Sequence, residues 1–412
     1  MRFIERHDVV RASFVLLLVP LLVAIGGCSA VPAGGDIGDG PPKAGGTGGT
    51  GGMGGADSTA AAGGMGTGGA GGATGGSGGA PEPATLLAVL DDSTPYYENY
   101  PQGWPQNDVL TVVDPAKPDV PLLKLGKFTV GAGTGLWVGA DIGSWRTVAT
   151  SKSKKRLGVI DRYALRLFDE NLQPLANVEL PNEDGLAVWP TDDAIFALIN
   201  EDPTWGDSGT ILKFDSNGTY LQTTFKSHGI DLVVDEDNQV VWTVGLYLTR
   251  ATTDLLDEQE LHQFGFAAVS LDLDANGGIW AVERFDSYNV SADQLVHFDM
   301  NGDIIIGDTL ALPDSPMSVR VDRNSGLVWV AMTDTGAGGG VAYRDVDGQL
   351  KMVPGLTGTW YAVEPDPLDG SRVWAASPTG EVVHVDTNGT VIQSLGGFSP
   401  SGKWLAVMQQ GF

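Results

Sequence analysis

Five carboxylates stand out first: Asp91, Asp141, Glu201, Glu283 and Asp334 each follow a stretch that reads as a β-strand. Acids that recur at one place in a repeated unit can converge on a common axis. Oxygen ligands of that kind suit a hard cation, calcium before others. Solvation of strand ends accounts for the same residues without a metal. His228, in the segment KSHGID, is the best-placed general base, because an imidazole titrates near neutrality, and Asp231 is the acid beside it. His297 and His384 occupy one repeated place, filled elsewhere by Lys213 and Tyr343, which reads as structural. DLDANGGIWAVE (272–283) has the acid, Gly and Glu spacing of a calcium loop. Its flanks are strand-like where such a loop needs helices, so it reads as a hairpin turning at Asn276-Gly277.

A second set of candidates is aromatic. Tyr96, Tyr97, Tyr100, Trp104, Trp145, Trp205, Tyr247 and Tyr288 fall on long segments between predicted strands. Exposed rings there suit stacking on a sugar or a peptide; packing beneath their own loops is the competing reading. The run SKSKKR (151–156) is the one basic stretch of the folded region. It reads as a solvated loop or as a contact for anionic envelope lipid or polysaccharide. No Ser-His-Asp elbow, phosphate loop or dinucleotide fingerprint is visible.

The elements that must position these residues come from two alternating patterns. One is an acidic or Gly/Asn turn leading into a Trp strand: DEDNQVVWTV (235–244), DLDANGGIWAV (272–282), DRNSGLVWVA (322–331) and DPLDGSRVWAA (366–376). GTGLWVGA (133–140) and TDDAIFALI (191–199) carry it with Trp137 and Phe196. The other is a strand ending in Asp and a Gly turn: ILKFDSNGTY (211–220), LVHFDMNGDI (295–304), VAYRDVDGQL (341–350) and VVHVDTNGTV (382–391). Each unit reads as four short antiparallel strands, which cannot bury their own faces and must stack. Residues 84–412 divide into seven units of about 47 residues, a blade-like period. The first unit lacks its first strand, and the chain ends in an unclaimed one, KWLAVMQ (403–409). An all-β propeller closed by that strand is expected, since closure removes exposed edges. The second unit reads as carrying a long insertion over 140–162, and 255–264 as a short helix candidate. The repeated D-x-x-G-x-[IVL]-W and [FV]-D-x-x-G elements resemble those of the NHL, YVTN and streptogramin-lyase-like propellers over 84–412. Streptogramin lyases use a His, an acid and a metal at the channel mouth, so the resemblance implies one place to look for chemistry.

Antiparallel order puts the a–b and c–d turns at one end of the ring and the b–c and d–a connections at the other. The Asp/Gly turns are regular and the b–c connections long and varied, so the b–c end is expected to be the working face.

The N-terminus reads as an export signal. Arg2, Arg6 and Arg11 flank an apolar run over 12–25 that is short for a bilayer span. Ile25-Gly26-Gly27-Cys28 resembles the bacterial lipoprotein box, which implies a signal peptide over 1–27, lipid on Cys28 and a membrane partner. Ser29 follows, which in that family favours the outer membrane, on the periplasmic or cell-surface side. Cys28 is the only cysteine, so no internal disulfide forms. Residues 28–83 are a Gly-rich linker without apolar period, a tether of roughly 35–40 Å. With 51 acidic against 24 basic residues and a net charge of −27, a nucleic-acid face is excluded and a soluble monomer expected. A lipid-anchored envelope module binding protein, peptide or polysaccharide is expected. The alternative is a metal-assisted hydrolase or lyase with its site at the channel mouth.

Overall fold

A computed structural model describes residues 85–91, 108–128, 146–160, 164–180, 184–200, 209–223, 229–265, 267–284, 293–398 and 403–409. They form seven four-stranded antiparallel sheets, the blades of a propeller. Counting strands a to d outward, blade 1 is Lys403–Gln409, Thr85–Asp91, Asp108–Val113 and Leu123–Phe128. The C-terminal strand thus supplies the missing inner strand, paired in register from Thr85↔Gln409 to Asp91↔Lys403. The inner strands of blades 2 to 7 are Val148–Thr150, Asp184–Pro190, Gly229–Asp235, Ala267–Leu273, Ser315–Val321 and Ala362–Pro365.

Period-two apolar patterning makes the strands; the aromatic residue of strand b makes the ring. Trp280 of blade 5 packs with Val319, Val328 and Val330 of blade 6. Trp329 of blade 6 packs with Val373, Val383 and Val385 of blade 7. Trp374 of blade 7 packs with Leu87, Val89 and Val407 of blade 1. Each aromatic therefore fills the gap to the following blade, where burial of a large side chain contributes about 2–3 kcal/mol. Its cross-strand partner in strand c covers the ring: His297 stacks on Trp280 at 4.0 Å and His384 on Trp374 at 4.4 Å, both at 9°.

Blade 2 departs from expectation. Residues 148–150 and 157–160 are its strands a and b, so the described part of the expected insertion belongs to the blade and SKSKKR is an a–b turn. Gly158 pairs with Leu167, two residues before Asp169, as Trp280 pairs with His297 two before Asp299. Gly158 is thus the aromatic slot of blade 2. A Cβ there would stand 3.0 Å from Val188 and 3.1 Å from Pro190, which fill the space from blade 3. Trp137 lies outside the described residues. In blade 4, residues 247–252 are strand c and 259–263 strand d, so no helix forms over 255–264.

The Asp-x-x-Gly turns have one cause. The Oδ1 of Asp215, Asp299, Asp345 and Asp386 accepts the backbone N–H of residues i+2 and i+4, at 2.8–3.1 Å. The chain then reverses through a Gly at positive φ, such as Gly389 at 81°. A Cβ on Gly389 would also collide with the Pro354 carbonyl oxygen of blade 6. Gly389→Ala is expected to destabilise the protein by about 2 kcal/mol or more, read as a lower urea midpoint.

Residues 303–311 of blade 5 have the apolar content of a full strand d but do not form one. Only Leu310–Ala311 pairs with strand c, with one bridge at Phe298↔Ile304. The excursion between them, turning at Gly307 (φ 96°), leaves Ile306 exposed and delivers Asp308 to His297.

Candidate functional site: the channel cavity

Strand a is innermost, so its side chains decide what the axis contains. The cross-strand register sets Trp189, Val233, Asp272, Arg320 and Glu364 at one level, each opposite the aromatic slot of its own blade. Three of the five are charged. Arg146, just ahead of strand a in blade 2, joins them. Its Nε donates to Asp231 Oδ1 at 3.2 Å and its Nη2 to the Leu271 carbonyl at 2.6 Å, with Asp272 Oδ1 at 3.6 Å. The guanidinium lies 4.7 Å from the Trp189 ring centre. Arg320 donates through Nη1 to Ser270 Oγ (3.1 Å) and the Val319 carbonyl (2.7 Å), and its Nε stands 3.5 Å from Glu364 Oε2. Lys154 reaches the other oxygen of Glu364 at 3.3 Å.

These charges also stitch the inner strands together. Asp231 Oδ2 accepts from Leu271 N–H and the Ser270 hydroxyl, Ser270 Oγ from Val319 N–H, Ser318 Oγ from Val363 N–H, and Asp272 Oδ2 from Val321 N–H. A polar side chain of one strand a thus holds the backbone of the next. Buried carboxylates and guanidinium groups are tolerated only when paired in this way. Burial alone would lower the Arg146 pKa, but the Asp231, Asp272 and Glu364 carboxylates outweigh it and raise the pKa above the usual arginine value. Arg320 is lowered, by burial first and then by the positive charge of Arg146.

Above this layer the channel opens into a cavity of about 320 Å³. Its rim is made by a–b turns: Ser151, Lys152 and Lys154 of blade 2, Arg323 and Asn324 of blade 6, and Pro365 and Pro367 of blade 7. The basic run reaches across this mouth. Lys152 pairs with Asp237 of blade 4, Ser153 Oγ donates to Asp192 of blade 3 at 2.7 Å, and Lys154 meets Glu364 of blade 7. Lys154 adopts a positive φ of 60°, a conformation that costs a non-glycine residue about 1 kcal/mol and recurs at binding sites. The cavity therefore lies at the a–b end, the end that loop length had assigned to structure. Short turns on the innermost strands overhang the axis at this end.

The residues singled out from sequence fall as follows. His228, Asp141, Glu201, Tyr96, Tyr97, Tyr100, Trp104, Trp145, Trp205, Tyr288 and Cys28 lie outside the described residues, as does the side chain of Asp91. Asp231 is fully buried, its oxygens held by Arg146, Ser270 and the N–H groups of Leu232 and Leu271. Glu283 Oε1 accepts from Gly265 N–H at 2.6 Å, and Asp334 Oδ1 accepts from the Gly336 and Gly338 N–H groups of its own loop. Tyr247 opens strand c of blade 4 and is half-buried. Among the described residues no group of three His, Cys, Asp or Glu is placed to hold a metal ion. The calcium-loop spacing of 272–283 dissolves into three separate jobs, with Asp272 in the channel wall, Asp274 capping its turn and Glu283 on Gly265. Sequence reasoning missed Arg146, Asp272, Arg320 and Glu364. The available signal was ionisable residues breaking otherwise apolar inner strands.

The two stacked histidines belong to the frame. His297 stands between Asp308 (Nδ1, 2.9 Å) and Asp274 (Nε2, 2.8 Å), and His384 Nε2 lies 3.1 Å from Asp366. The His297 hydrogen bond lowers the Asp308 pKa. Burial alone would raise Asp274 and Asp366, but their histidines and turn N–H groups outweigh it and lower both. A carboxyl depressed in the folded state stabilises the fold above its unfolded pKa of about 3.9 and loses that contribution as pH falls through the folded value. Stability from these contacts is therefore expected to hold at pH 5–7 and drop below about pH 4. His297→Gln should flatten that acid limb in urea midpoints taken across the range.

No protein-family model matches the chain, and no curated protein does. Solved structures similar to it include a protein of unknown function from Bacteroides caccae (TM-score 0.42, 11% identity, 79% of this chain and 99% of that one). The nidogen/laminin complex is similar at TM-score 0.44 and 11% identity over 80% and 100%. Apo AztD from Citrobacter koseri is similar at TM-score 0.47 and 10% identity over 80% and 99%.

Proposed function

We propose that this chain is a lipid-anchored envelope propeller that acts as a binding module, with its ligand seated in the channel mouth at the a–b end. The observation that carries the reading is the 320 Å³ cavity walled by polar and charged side chains on a closed, rigid ring. Its size is that of a small-molecule site, and rigid strands hold its lining without the ordering cost that loops incur. Cys28 would hold the lipid, and the Gly-rich linker would let the ring stand off the membrane. No histidine is among the described residues that line this cavity. Two measurements test the proposal. Fatty-acid labelling should mark the wild-type chain and not Cys28→Ser. A thermal-shift screen of the full chain against anions, amines, glycans and peptides should give at least one ligand whose effect weakens in rim variants. Silence across that screen would sink the binding reading, and unlabelled wild type would sink the anchor.

A further inference from the structure

We propose that the channel cavity takes a compact polyanion, a ligand presenting two or more carboxylate or phosphate oxygens. The inference deepens the binding-module reading and rests on it.

The protein as a whole is acidic, with 51 Asp and Glu against 24 Lys and Arg. The cavity reverses that balance: Arg146, Lys152, Lys154, Arg320 and Arg323 line it, against Asp272, Asp322 and Glu364. The three acids are committed to the fold. Asp272 accepts from Val321 N–H, Asp322 from the N–H groups of Asn324 and Ser325, and Glu364 is held between Lys154 and Arg320.

The cations are not used up. Arg146 bonds through Nε and Nη2, and Arg320 through Nε and Nη1. The remaining terminal nitrogen of each guanidinium makes no hydrogen bond among the described residues. Among the described residues Arg323 makes no hydrogen bond or ion pair, though it feels the charges of Glu236 and Asp237, and Lys152 pairs with Asp237, whose side chain is 70% exposed, and lies beside Glu236. Hydrogen bonds from a guanidinium to an anion are charge-assisted and about twice as strong as neutral ones. Forked guanidinium donors match carboxylate and phosphate oxygens two at a time, and low-dielectric walls strengthen the attraction. Trp189, Pro365 and Pro367 add apolar surface to the lining, and the volume of about 320 Å³ suits a small headgroup.

Titration calorimetry on the full chain in low salt, with citrate and inorganic pyrophosphate as anion probes and spermidine as the cationic control, tests the inference. One-to-one binding of at least one anion is expected, at about 1 mM or tighter, weakening as salt rises. Citrate against pyrophosphate separates carboxylate from phosphate recognition. Lys152→Gln with Arg323→Gln should weaken binding about tenfold while leaving the unliganded melting temperature in place, and Lys117→Gln, on an exposed turn of blade 1, should change nothing. No heat from either anion at millimolar concentration, or equal binding by the double variant, would overturn the inference. Binding of spermidine alone would overturn it too, yet leave the binding-module reading standing; that reading falls only with silence in the wider screen.

Discussion

A chain truncated after Gly402 is expected to lose its cooperative fold altogether. The seven residues Lys403–Gln409 are the inner strand of blade 1, so their removal opens the ring at its only non-sequential seam. Leu405, Ala406, Val407 and Met408 are at most 3% exposed and belong to the cores on both sides of that seam. Three large aliphatic side chains contribute about 1.5–3 kcal/mol each on burial, which together reaches the whole stability margin of an ordinary domain. The truncation also bares Thr85–Asp91 as an unpaired edge beside the exposed face of blade 7, a template for aggregation. Loss of soluble yield and of a sigmoidal melt is the expected result. Val407→Asp, which keeps every backbone pairing and only buries a charge, should lower the urea midpoint by the equivalent of about 4 kcal/mol. A truncated chain that melts cooperatively near the full-length temperature would show that the ring does not depend on its seam.

That seam was legible because it is a matter of counting: a first unit one strand short and a final strand one too many. Blade number was legible for a similar reason, since Trp242, Trp280, Trp329 and Trp374 mark one position in successive units. The reading failed where a blade dispensed with the mark. Gly158 occupies the aromatic slot of blade 2 because Val188 and Pro190 already fill it, so the nearby Trp137 took its place in the sequence pattern and displaced strands a and b. Strand d of blade 5 failed for another reason. Its residues, DIIIGDTLA, are apolar and β-branched enough for a strand, but pairing them throughout would withdraw Asp308 from His297. The site was least legible. Asp231, Asp272, Arg320 and Glu364 lie in four blades, carry charges of both signs and meet only through the cross-strand register. Periodicity finds what repeats, and this layer is defined by residues that do not.

Arg146 is where that layer is most exposed to a single change. Arg146→Met is expected to cost about 3–5 kcal/mol, because it strands the fully buried Asp231 carboxylate and leaves Asp272 short of its nearest cation. The penalty belongs to the uncompensated charge more than to the lost contact. Arg146→Met combined with Asp231→Asn should therefore recover most of it, since the Asn oxygen still accepts from Leu271 N–H and the most deeply buried of the stranded charges is gone. Chemical denaturation of the two single variants and the double variant gives the coupling directly. A single variant within about 1 kcal/mol of wild type would mean that water reaches Asp231 and that the channel is wetter than its geometry implies. A double variant no more stable than Arg146→Met would place the cost in the cavity left over Trp189 instead. Either result would move the electrostatic centre of the ring away from Arg146 and toward Arg320, the other guanidinium of this layer, and with it the point from which an incoming anion is held.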